Sequence, residues 1–135
     1  MRKTVFAILF LGILLAACNP YGVKPVNDPT LVPPMQKLTR AVDGYVRYDK
    51  PDAAMTPDQI LEKATEHDKG LLTPFGRMSL EVLREGDNVV VLLCDAYRNV
   101  ALMEDSGCTA KVDKNYMGSS TPPCAFTLTP AELCE

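Results

Sequence analysis

Few side chains in this 135-residue chain have chemical reach: five cysteines (Cys18, Cys94, Cys108, Cys124 and Cys134), a single histidine (His67) and a scatter of acids. A cysteine can act as nucleophile, metal ligand, acylation site or half of a disulfide, and its spacing and compartment separate these uses. The last four contain no Cys-x-x-Cys knuckle, so a four-thiolate zinc site is the weaker reading and no metal is expected. Acyl-transfer chemistry needs a nucleophile, a base in reach and an orienting group. His67 is the only imidazole, the Gly118-Ser119-Ser120-Thr121 stretch is ordinary loop composition, and no Gly-x-Ser-x-Gly elbow exists. Asp95, Glu104, Asp105 and Asp113 cluster near predicted turns, without the register of a calcium loop or the signature of a glycosidase pair. They read as solvated turn acids or as acids hydrogen-bonding their own turns. Phosphate cradles and dinucleotide fingerprints are absent, and no cofactor is expected.

Recognition is better supported than catalysis. Tyr97, Arg98, Tyr116 and Met117 fall in two predicted loops, and tyrosine, methionine and arginine are enriched at interface centres. They form the candidate interface, expected at one end of a sheet. The competing reading is an envelope hydrolase or small-ligand sensor built from His67 and the acids near Asp95 and Asp105.

The N-terminus supplies the address. Arg2 and Lys3 precede an apolar run, Val5 to Leu15, too short to span a bilayer comfortably, and Leu15-Ala16-Ala17-Cys18 closes it with small residues before a cysteine. Residues Met1 to Asn19 thus resemble the signal of bacterial lipoproteins. That resemblance implies removal of residues 1–17, acylation of Cys18 (palmitate and diacylglyceryl chains), and anchoring in the cell envelope. Two or three chains hold a membrane stably where one is marginal. Asn19 leans by the same resemblance toward the outer membrane, facing the periplasm. An ordinary secretory signal would leave the protein soluble there.

Loss of Arg2 and Lys3 takes the basic residues from 14 to 12 against 17 acids, a mature net charge of −5. No basic run with interleaved aromatics appears, so a nucleic-acid partner is not expected. The remaining chain is short for a self-sufficient core, and four cysteines in an exported chain read as two disulfides. Three pairings are possible. The favoured one joins Cys108 to Cys124 across a hairpin and fastens Cys134 to a central strand at Cys94.

These groups must be positioned by a modest set of elements. Prolines 20, 25, 29, 33, 34, 51 and 57 mark residues 18–55 as a lipid-anchored tether with a span of roughly 30–35 Å. Met35, Leu38, Val42 and Gly44 could make a short docked helix within it, followed by an extended Tyr45 to Tyr48. Residues 56–135 make the domain. Thr56-Pro57-Asp58-Gln59 carries a capping box opening a helix to about Lys69, with Gly70 as stop and a second short helix around Leu71 to Phe75. Met78 to Leu83 and Val89 to Leu93 flank the Glu85-Gly86-Asp87-Asn88 turn as a hairpin. A third strand is expected at Val100 to Met103, and weaker ones at Thr109 to Val112 and Ala125 to Leu128. The class is α+β, one or two helices on one face of an antiparallel meander of four or five strands. The function expected is a non-enzymatic envelope lipoprotein that binds another periplasmic or outer-membrane protein as assembly accessory, inhibitor or immunity-type factor.

Overall fold

The computed structural model describes residues 27–119 and 121–134. The leader, Cys18 and the first part of the expected tether lie outside the described residues. Asp28 opens the fold: its carboxylate accepts from Thr30 N at 3.0 Å and starts a 3-10 turn over Pro29–Leu31. Helix α1 follows at Val32–Gly44. Pro33 and Pro34 stand in its first turn, where a missing N–H removes no helical bond. Prolines that resemble linker residues are here helix starters. Met35, Leu38 and Val42 are fully buried along one stripe of α1, and Val46 continues it.

Residues 28–55 therefore belong to the folded unit, with the helix docked. Gly44 is the last residue of α1 but does not cap it: its backbone stays helical, and Tyr45–Asp49 is a wide helical turn rather than an extended segment. The turn ends at Lys50, at φ +46, where Pro51 follows and cannot continue a helix. Helix α2 spans Pro57–Ala64 with the expected capping box, Thr56 and Gln59 bonding each other's backbone N–H at 3.3 and 2.9 Å. It ends five residues short of Lys69. The buried Thr65 hydroxyl turns back onto Leu61 O (2.9 Å), and Asp68 opens a separate 3-10 segment over Lys69–Phe75.

The sheet is an antiparallel meander in the order β1 (Ser79–Glu85), β2 (Asn88–Cys94), β3 (Ala101–Asp105), β4 (Lys114–Asn115). The class is α+β, as expected. Gly86 at φ +61 sits first in the two-residue turn closing Glu85 on Asn88, a type II′ pattern matched to sheet twist. Thr109 to Val112 and Ala125 to Leu128 form no strand: the outermost strand is only Lys114–Asn115, and 125–128 belong to an irregular segment.

Strand β2 explains the layering. Every residue from Val89 to Cys94 is inaccessible, so both sheet faces are covered. Val82, Val89, Val91, Leu93 and Met103 meet the helices with Met35, Leu38, Val42, Ile60 and Phe75. Leu92, Cys94 and Ala101 face the other way, onto Tyr116, Cys124 and Phe126. This second cover is a strap, residues 121–134, ending in the one-turn helix α3 (Pro130–Leu133), which touches β1 and β2. Two disulfides pin it, Cys94–Cys124 and Cys108–Cys134. The expected Cys108–Cys124 and Cys94–Cys134 pairing is corrected. Without a strand at 109–112 no hairpin brings 108 to 124, and the strap runs alongside β3 with one bridge at each end. Among the described residues no helix is long and apolar enough to cross a membrane.

Two measurements check this arrangement. Leu38→Ala should cost about 2–5 kcal/mol in urea unfolding, the usual penalty for emptying a fully buried leucine site; a loss under about 0.5 kcal/mol would leave α1 undocked. Non-reducing chymotryptic mapping, cutting after Phe126, should recover Cys94 linked to Cys124 and Cys108 linked to Cys134.

Candidate functional site

The β2–β3 turn, Asp95 to Asn99, presents the candidate side chains. Asp95 is itself buried, and its Oδ1 accepts from Asn99 N at 2.6 Å and Val100 N at 3.0 Å. Arg98 N returns to Asp95 O at 3.0 Å, and Asn99 O accepts from Cys124 N at 3.2 Å. Arg98 sits at φ +56, and its guanidinium pairs with Glu81 on β1. The Cys94–Cys124 bridge adjoins the turn. The turn is thus held from inside, from the neighbouring strand and from the strap. Tyr97 at its tip is 81% exposed and appears in none of the hydrogen bonds among the described residues.

Two features of this turn are unfavourable by themselves. A non-glycine residue in the left-handed region costs about 1 kcal/mol, and Asp95 Oδ2 is buried without a partner among the described residues. Such features persist where the surrounding structure imposes them, and they concentrate at functional positions.

Tyr116 and Met117 do not join Tyr97 and Arg98 on the surface. Tyr116 is half-buried against Leu92, Cys94 and Ala101, and its hydroxyl donates to Glu104 at 2.7 Å; Met117 packs on the helix-side core. They hold the strap and the edge of the core instead. Glu104 is inaccessible and also accepts from Thr127 N and Oγ1, each at 2.6 Å, and from Leu128 N at 3.3 Å. It is the polar anchor of the strap.

Asp105 faces the helices. Its carboxylate accepts from the buried Thr39 hydroxyl of α1 and from Asp113 N at 3.3 Å. Two residues on, Gly107 passes so close to α1 that a Cβ would lie 2.3 Å from Thr39 O, and only glycine fits. Burial, with the Asp113 carboxylate nearby, pushes Asp105 up to about 6 against the donors that favour its charge. Asp113 is also raised by burial, but donors from Ser106 and Thr109 outweigh that and hold it below the usual carboxylate range.

Of the two readings expected for these acids, Asp95 fits the one in which a carboxylate bonds its own turn, and both are corrected for Glu104 and Asp105, which bond other segments. All three are buried and hydrogen-bonded. The signal for this lay in the Val89 to Leu93 run, which has no polar alternation and requires cover on both faces.

His67 is 95% exposed and 3.4 Å from Glu66, whereas Asp95 serves its own turn and Asp105 serves Thr39 and Asp113. The groups required by a hydrolase are not brought together. The grouping of possible metal ligands, Glu81 with Cys94 and Cys124, is already committed: the sulfurs are bonded to each other and the carboxylate to Arg98. No protein-family model, curated protein or solved structure matches the chain.

Asp105 makes stability fall as pH rises. Its folded pKa lies above its unfolded one, so the folded state binds the extra proton between about pH 4 and 6, and stability present below that window is lost across it. The loss should be of the order of 1–3 kcal/mol in urea unfolding at pH 4.5, 5.5 and 7. Asp105→Asn, which keeps a neutral partner for Thr39, should abolish most of that slope and be the more stable protein at pH 7. A wild type that gains stability across the window would refute the assignment.

Proposed function

We propose that this chain is a lipid-anchored lipoprotein of the bacterial envelope, acting without catalysis as a binding module for another envelope protein. The observation that carries the reading is Tyr97. A large amphipathic ring stands free on a turn held on three sides, in a backbone that carries strain to keep it there. Rigid exposed tyrosines make good anchors because little conformational entropy remains to be lost on binding. Arg98, fixed beside it by Glu81, adds a charge to the same tip.

The address rests on the residues from Met1 to Asn19, and the two disulfides agree with a chain exported to an oxidising compartment. With the fold starting at Asp28, an acylated Cys18 would be joined to it by about ten residues, no more than roughly 35 Å when extended. The tyrosine turn would then work close to the membrane surface, on a partner that is itself embedded or anchored there. An assembly accessory, an inhibitor or an immunity-type factor each fits that placement.

Intact-mass analysis of the native protein should find a start at Cys18 carrying two or three acyl chains, absent from Cys18→Ser. A photo-crosslinking residue at position 97 should give one discrete adduct in native envelopes. Tyr97→Ala should weaken that partner by tenfold or more while changing stability by less than about 0.5 kcal/mol. An unacylated start, or no adduct at position 97 in intact envelopes, would overturn the proposal.

A further inference from the structure

The two edges of the sheet differ. Along β3 the outer side is closed, by β4 at Met103 and Glu104, by Tyr116 N on Leu102 O at 2.9 Å, and by Ala101 N on Pro122 O at 2.9 Å. Along β1 it is open. The Glu85–Asn88 closing pair of the two-residue turn is hydrogen-bonded, so ladder alternation sends the N–H and C=O groups of Leu80, Val82 and Arg84 outward. None of these six groups has a hydrogen-bond partner among the described residues.

Folded proteins blunt such edges with charged side chains, prolines, bulges or brevity, and of these β1 carries only charge, at Glu81, Arg84 and Glu85. Strand β1 has seven residues, no proline, and an unbroken register with β2; the bulge of this sheet lies between β2 and β3 instead. Beside the open edge runs a groove of about 460 Å³ lined by Ala53, Met55, Pro57, Ile60, Val82 and Leu83. Side chains directly opposite each other in a ladder project to the same face. A residue paired with Val82 would thus point toward Met55 and Ile60.

The rim of the groove is acidic. Asp52, Asp58, Glu85 and Asp87 flank lining residues, are exposed, and enter no ion pair among the described residues. The cations nearby are fewer: Lys50, Arg84, which itself lines the groove and donates to Gly86 O and Asp52 O, and Arg47, which is paired with Asp43. A second copy of the chain would bring the same excess of acids.

We propose that this edge and groove take up an extended segment of a partner protein as a fifth strand, one apolar side chain of the segment filling the groove opposite Val82 and lysine or arginine flanking it. Main-chain hydrogen bonds to Leu80, Val82 and Arg84 supply the pairing, the groove selects the apolar residue, and the rim selects charge. This surface is distinct from the Tyr97 turn and stands or falls separately.

The test uses the whole chain and a synthetic eight-residue peptide alternating valine and threonine between terminal lysines. Amide exchange followed by NMR should slow at least tenfold at Leu80, Val82 and Arg84 when the peptide is added, with Glu81, Leu83 and Glu85, already paired to β2, unchanged. The same peptide with terminal glutamates should bind at least tenfold more weakly, and the difference should vanish in 1 M salt, where the screening length is about 3 Å. Ala53→Lys, at an exposed position, should narrow the preference for the lysine peptide without affecting the fold. Absence of protection at millimolar peptide would overturn the proposal. So would equal binding of both peptides, or protection that grows with protein concentration alone, which would assign the edge to a second copy.

Discussion

Strand β2 is apolar on both faces, and the rest of the molecule follows from having to cover both. A strand with one wet face could rest on a single layer of helix. Here Val89, Val91 and Leu93 require one cover and Val90, Leu92 and Cys94 another. On the first side the cover is regular, because α1 and α2 carry apolar residues at helical spacing. On the second it is a strap with few large apolar side chains, and burial alone would hold it weakly. The Glu104 carboxylate takes up two backbone N–H groups and two hydroxyls of the covering layer, and a bridge closes each end. With closed loops of 30 and 26 residues, each bridge contributes about 3.5 kcal/mol by restricting the unfolded chain. For a small domain that is comparable with its entire net stability.

The helix side carries a tension of its own. Thr39, Asp105 and Gly107 sew α1 to the end of β3, with a carboxylate enclosed where water is excluded and a backbone approach that admits no side chain. The seam fixes the position of α1 along the sheet, but the ionised Asp105 is held at a disadvantage near neutral pH. Asp113 takes the neighbouring donors and keeps its charge at lower pH, so the two acids of the seam are shifted in opposite directions although they lie side by side.

What stability does not require is more informative about function. The core has no use for an exposed Tyr97 on a strained turn, nor for leaving the outer side of β1 unpaired when the outer side of β3 is closed. Both features present surface rather than bury it. They lie on different parts of the sheet: one at the β2–β3 turn on the strap side, the other between β1 and α2.

Much of the local structure was legible in the residues. The Thr56 to Gln59 capping box, the turn at Gly86 and the Val89 to Leu93 run each encode their conformation within a few residues, and each is found in place. Pro33 and Pro34 misled, because they act in a helix first turn just as Pro57 does, where the ring is tolerated, and only the docked stripe of Met35, Leu38 and Val42 tells that helix start from a linker. The disulfide pairing was not legible at all, and for Glu104 and Asp105 the two-faced apolar run beside them signalled a covering layer without saying which acids it encloses. Pairing and enclosure depend on which face of the sheet each residue takes and on the path of a strap without periodicity. Sequence by itself determined the elements whose energetics are local, namely caps, turns and apolar runs. Tertiary structure alone decided the cysteine partners and the enclosed acids, because contacts between residues 23 to 66 apart are set by how layers stack rather than by spacing along the chain.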